Sequence, residues 1–213
     1  MNGISLEIRS SVTDGVAQGF AAQSRTISEV PSGPAFHSHR IQYDPHPSLL
    51  QDLRKFLGDP SATFKTPEQA EALEVSRNKT EHLLLVAPTA MGKSLVYMLP
   101  AAIYDRNLVT IVLLPLSSLH ADFKRRCQEL NIPTSRWQPP PAVPDNSTIV
   151  FVSPEHAQML AFFEYAAELR LKKKLARVVI DEPHLIVQQS DFRYCFSNLK
   201  PLINSGMSLF QLV

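Results

Sequence analysis

From residue 83 onward the chain alternates between two hydrophobic rhythms. Short continuous apolar runs lie at Leu83–Ala87, Val109–Leu114, Thr148–Val152 and Arg177–Ile180. Each is four to six residues long, and Val109–Leu114 is rich in β-branched residues, as a strand buried on both faces should be. Between them, apolar residues recur every three or four positions. That period predicts helices over Lys93–Tyr104, Ser118–Leu130 and Pro154–Lys174, the last read as one long helix. A further helix is expected within Asp191–Ile203, and "MSLFQLV" reads as the start of another strand. Strands that alternate with helices predict an α/β fold. The expected form is a mostly parallel sheet with helices on both faces and right-handed crossovers.

Upstream the pattern weakens. "SLLQDLRKFLG" spaces its leucines helically and ends at Gly58, and "PEQAEALEVSRN" reads as a second short helix with Pro67 in its first turn. Residues 1–47 are rich in Ser, Gly, Pro and His and read as a flexible arm. A domain is therefore expected over residues 48–213.

Composition narrows the class only modestly. The chain has 213 residues, 44% of them hydrophobic, and a formal net charge of +1. A chain of this length can bury a core without disulfides. Bulk charge does not mark a nucleic-acid binder, so any such contact must be local. The two cysteines, Cys127 and Cys195, lie far apart and read as reduced thiols. No stretch reaches the roughly 18 consecutive apolar residues of a membrane helix. The cations of "LRLKKKLAR" read as a solvated helix end opposite the phosphate-binding end of the sheet, and "KRR" (residues 124–126) as a solvated helix face. Trp137, beside the Pro-rich "QPPPAVPDN", reads as packing first.

Candidate chemistry begins at Ala87-Pro88-Thr89-Ala90-Met91-Gly92-Lys93-Ser94. This has the spacing of a phosphate-binding P-loop, with Ala in place of the first Gly. A loop between strand and helix can turn backbone N–H groups inward, and the helix N-terminus adds its positive dipole end. Gly92 allows close backbone approach, Lys93 can reach the β- and γ-phosphates, and Ser94 offers an oxygen to Mg²⁺. The plainer alternative is a strand–turn–helix in which the triplet is incidental. A second site, "RVVIDEPH", ends a buried strand in two carboxylates. Ligands bind beyond the carboxyl ends of parallel strands. There Asp181 can orient water on Mg²⁺ and Glu182 can act as general base. Its plainer alternative is an acidic strand end capping a turn.

These segments resemble a family. "APTAMGKS" is similar to helicase motif I and "DEPH" to the DEAH-type motif II of superfamily 2 helicases. "LLPLSSLHAD" resembles motif Ia of the RecQ-like DNA helicases, and "VFVSPEHA" their strand and "PER" segment, with His156 where Arg is usual. "FKTPEQAEAL" resembles motif 0, and "DFRYCF" the end of the aromatic-rich loop. The resemblance runs from about Leu49 to Val213 and implies the first RecA-like lobe of a RecQ-like helicase. It implies that ATP and Mg²⁺ are the cofactors, with Gln69 contacting the adenine edge and Phe64 packing near the base. It implies contacts to single-stranded or forked DNA by Leu116, Ser118, Asp122, His184, Phe192, Arg193 and Tyr194. It also implies 3′-to-5′ unwinding, a second RecA-like lobe for full activity, and nuclear placement in a eukaryote or cytoplasmic placement otherwise.

The sequence departs from the RecQ pattern in two further places. Pro183 stands where Ala is usual and removes a backbone donor just after the acidic pair. The loop "LIVQQS" is one residue shorter and lacks the family's Trp. Motif III and a second lobe are not found before Val213, so slow hydrolysis and no unwinding are expected of these residues alone. A different P-loop NTPase and a degenerate module that binds ATP or nucleic acid without unwinding are the alternatives.

Overall fold

The computed structural model describes residues 5–10, 45–79, 81–88, 91–114, 117–140, 143, 146–181 and 209–212. Their frame is a seven-stranded sheet. In chain order the strands are β1 (Ser5–Ser10), β2 (Glu81–Val86), β3 (Val109–Leu113), β4 (Thr134–Arg136), β5 (Ile149–Val152), β6 (Leu175–Asp181) and β7 (Leu209–Leu212). The helices are α1 (Pro47–Leu57), α2 (Pro67–Asn78), α3 (Leu95–Ile103), α4 (Ser117–Glu129), α5 (Pro154–Ala157) and α6 (Leu160–Leu171). The strands lie in the order β1-β2-β7-β6-β3-β5-β4. Every pair is parallel except β1 with β2.

β3 and β5 are buried along their whole length, as near-continuous apolar runs require. Alternate residues serve opposite faces. Ile111, Leu113, Val178 and Ile180 pack with Phe162 and Ala166 of α6, and with Trp137. Val112 and Val179 pack with Val96 and Tyr97 of α3 and with Phe123 of α4. A third cluster joins Leu49 and Leu53 of α1 to Leu73 of α2 and Leu99 of α3. Burying a side chain of this size contributes about 1.5–3 kcal/mol.

Local signals set the helix ends near the site. Thr66 caps α2 by accepting a hydrogen bond from the Gln69 N–H at 3.2 Å, with Pro67 at the first helical position. α1 stops at Gly58, which takes a left-handed φ of 65°. No helix among the described residues is long and apolar enough to cross a membrane.

The structure corrects three expectations. The arm over residues 1–47 contains β1, which pairs with β2 from Ser5↔Val86 to Ser10↔Glu81. The segment 154–174 is not one helix. α5 ends after Ala157, and Met159 is extended (φ −75°, ψ 140°) before α6 begins. Thr134–Arg136, which no expectation covered, forms an edge strand paired with β5. Arg177 is not part of a solvated run: it is fully buried in β6 and its guanidinium donates to Asp105 at 2.6 Å. The helix expected within residues 191–203 lies outside the described residues.

Candidate nucleotide site

The parallel register places several strand ends at one edge of the sheet. Leu85 is level with Leu212 of β7, and Leu212 with Asp181 of β6. Ala87 and Pro88 thus leave β2 just beyond the level at which Asp181 ends β6. One strand, β7, separates the two, so their axes are about 10 Å apart. The loop after β2 and the carboxylate that ends β6 thus leave the same edge of the sheet, one strand apart.

The loop is anchored on both sides. The Met91 N–H donates to the Pro88 carbonyl at 3.4 Å, and the Leu95 N–H to the Gly92 carbonyl at 3.0 Å. Gly92 has φ +74°, the left-handed region in which glycine is favoured. A Cβ built there would meet Gln69 Nε2 at 2.7 Å. Ser94 is the residue before α3, whose N-terminal dipole end faces the loop. Lys93 Nζ donates to the Ala87 carbonyl at 3.2 Å, which holds the ammonium over the end of β2.

Gln69 is 6% exposed, and its amide is committed within the protein. Nε2 donates to the carbonyls of Met91 at 2.9 Å and Gly92 at 3.3 Å, while Oε1 accepts from the Lys65 N–H at 2.9 Å. Gln69 therefore braces the loop from α2, with both amide hydrogens used. Phe64 is half-buried against the third core cluster. Thr66, Gln69, Leu85, Ala87, Met91 and Lys93 line a narrow cavity behind the loop.

Two residues that sequence reasoning did not single out adjoin this edge. Arg126 of α4 is exposed, as expected of the "KRR" face, and its Nη1 also donates to Ser94 Oγ at 3.4 Å. Its equally exposed neighbour Arg125 pairs instead along the helix, with Asp122 at 3.4 Å and Glu129 at 3.2 Å. The Tyr97 ring is fully buried, and its hydroxyl has no hydrogen-bond partner among the described residues. Burial, then the nearby Asp181 carboxylate, push this phenol well above its ordinary value, with Arg126 opposing them. The helical period of α4 was the available signal for Arg126, since residues 125 and 126 point about 100° apart.

Other expected site residues are placed less fully. Ser118 lies in the first turns of α4, and Asp122 is exposed on that helix. Thr89, Ala90, Leu116, Glu182, His184, Phe192, Arg193 and Tyr194 lie outside the described residues. Trp137 is fully buried beside Phe162, ring centroids 5.2 Å apart, and serves as packing. Cys127 is buried and free, and burial pushes its thiol up to about 11. Cys195 lies outside the described residues.

The donor set fits a nucleoside triphosphate with a divalent cation. It combines an ammonium and a hydroxyl at a helix N-terminus with a carboxylate across one strand. The DEAD/DEAH box helicase family model matches residues 66–209. The chain belongs to this helicase family. The helicase chain is 29% identical over 165 residues to mouse ATP-dependent DNA helicase Q5. That match covers 71% of this chain and 16% of the mouse protein. It is 33% identical over 137 residues to the RecQ-like DNA helicase blm-1 of Caenorhabditis elegans, covering 55% of this chain and 13% of that protein. The chain thus spans less than a fifth of these relatives. In fold it is similar to the DUF1998 helicase MrfA, solved with DNA and AMPPNP. The TM-score is 0.62 at 22% identity, over 79% of this chain and 27% of that one.

Proposed function

We propose that this helicase chain is the ATP-binding RecA-like lobe of a RecQ-like DNA helicase that works 3′ to 5′. The observation that carries the reading is that the loop with Lys93 and Ser94 and the strand end with Asp181 leave the same edge of the sheet, one strand apart. Lys93 lies over the end of β2, within reach of a bound phosphate chain. Ser94 and Asp181 are the proposed holders of Mg²⁺, Asp181 through water. Bound ATP·Mg²⁺ would supply the phosphoanhydride whose cleavage drives movement on a strand. Glu182 is the proposed general base.

Gln69 acts in this reading by holding the loop at Met91 and Gly92, with Phe64 near the base. Thr89, Ala90 and Pro88 complete the phosphate loop. Leu116, Ser118, Asp122, His184, Phe192, Arg193 and Tyr194 are the proposed contacts to single-stranded or forked DNA, supported by their place in the motif order. Full turnover is proposed to need a second RecA-like lobe. One sequence feature favours a second reading, ATP binding without unwinding: Pro183 takes away a backbone donor next to Asp181 and Glu182.

Titration of the purified chain with a fluorescent ATP analogue tests the site. Lys93→Ala should weaken binding about tenfold or more, the loss expected when a charged hydrogen bond to phosphate is removed. Binding that survives this change would sink the nucleotide reading. ATP hydrolysis measured with and without single-stranded DNA separates the two readings. Stimulation by DNA supports the helicase lobe, and nucleotide binding with no response to DNA supports the second.

A further inference from the structure

We propose that Arg126 is a resident cation of the phosphate site, reaching from α4 to the Ser94 hydroxyl and competing there with the divalent metal. The proposal rests on the nucleotide reading above and adds a residue to that site.

Three observations carry it. Arg126 Nη1 lies 3.4 Å from Ser94 Oγ, across 32 residues of sequence, so the contact is tertiary and not a helix-surface pair. Arg125 is engaged by Asp122 and Glu129, whereas Arg126 forms no ion pair with any described carboxylate. Its charge is therefore not neutralised on its own helix. Finally, Tyr97, one turn along α3 from Ser94, buries a hydroxyl with no partner among the described residues; burial and then the Asp181 charge raise its pKa, and the Arg126 charge opposes them. The guanidinium and the serine hydroxyl thus meet where the loop enters α3.

The chemistry follows from charge and valence. A serine oxygen has two acceptor lone pairs, and Arg126 occupies one of them. A guanidinium stays protonated throughout the accessible pH range and binds phosphate oxygens readily. Without metal, Arg126 can supply part of the positive charge that a triphosphate needs. With metal bound to Ser94, two cations share one oxygen and repel each other. Arg126 should therefore raise metal-free nucleotide affinity and reduce the gain that Mg²⁺ brings.

The test is titration of the whole chain with N-methylanthraniloyl-ATP, in EDTA and in millimolar Mg²⁺. The readout is the ratio of Kd in EDTA to Kd in Mg²⁺. Arg126→Ala should weaken metal-free binding and raise the ratio about fivefold, the scale of one partly exposed charged contact. Arg126→Lys, which keeps the charge but loses the planar fork, should fall between. An unchanged ratio would overturn the proposal, as would equal weakening under both conditions, which is the mark of a merely structural role. Thermal unfolding of each variant reports whether the fold persists, and a variant that unfolds is replaced by Arg126→Gln in the same ratio measurement. If the wild-type chain shows no Lys93-dependent binding, the nucleotide reading fails, and this proposal with it. If that binding is present and the ratio does not move, this proposal alone fails.

Discussion

Gly92 links the phosphate loop to α2 through a space that only a hydrogen can fill. Its φ of +74° costs a side-chain-bearing residue about 1–2 kcal/mol. An added Cβ would also meet Gln69 Nε2 at 2.7 Å and push the amide from the Met91 and Gly92 carbonyls. Each displaced hydrogen bond is worth about 1 kcal/mol. Gly92→Ala should therefore destabilise the chain by about 2–3 kcal/mol in urea unfolding. Combining it with Gln69→Ala, which removes the colliding group, should cost less than the sum of the two single changes. Strict additivity would show that the brace does not couple the two residues. At this scale the spacing of "APTAMGKS" was enough to place Gly92, Lys93 and Ser94. The use of Gln69 was not legible, because its amide partners lie 22 and 23 residues away and are chosen by the packing of α2 on the loop.

At the scale of elements, the apolar runs located β2, β3, β5 and β6 because a strand buried on both faces leaves few polar positions. Three features escaped that logic. β4 has only three residues, too few for a period. The break between α5 and α6 has no Pro or Gly within Gln158–Leu160, so packing overrides propensity: Ala157 and Phe162 are both fully buried, while Leu160 is left 73% exposed. Arg177 sits in an apolar run, and a charged residue there is tolerated only when it is paired. Its guanidinium donates to Asp105 at 2.6 Å, to Thr110 Oγ1 at 3.2 Å and to the Ser76 carbonyl at 3.2 Å. Lys79 takes the other oxygen of Asp105. The cluster ties β6 to the end of α2 and to the turn before β3. Asp105→Ala strands a buried cation and should cost about 3–5 kcal/mol in chemical denaturation. Asp105→Ala with Arg177→Met removes both charges and should recover much of that loss. A cost below about 1 kcal/mol for the single change, the range of exposed pairs, would mean that the pair is not buried in solution.

For the whole molecule, the sequence supplied the order of elements but not their neighbours. Nothing in "MSLFQLV" specifies that β7 enters between β2 and β6, a choice made by parallel register and by the helices on each face. The same burial also governs how stability responds to pH. His82 of β2 and His120 of α4 are both held below the ordinary 6.5 by burial. For each, the unfolded chain takes up a proton at a pH where the folded chain resists it. The unfolded state then binds more protons, so stability rises with pH across that window. The contribution is complete above 6.5 and is lost as pH falls through the folded values. Glu155 adds loss only further down, below 4.5: burial raises it, but the Ser153 hydrogen bond and the neighbouring His156 and His120 leave it lowered. Glu71, raised by burial and then by Glu68, works in the opposite sense as pH rises above 4.5. The melting temperature should therefore fall between about pH 7.5 and 5.5. His120 packs against Phe151 with ring centroids 5.1 Å apart, so His120→Phe keeps an aromatic ring there and removes the titration. That variant should show a shallower fall over the same range. An unchanged slope would assign the pH dependence to His82 alone and would place the His120 ring in a wetter setting than its 6% exposure implies.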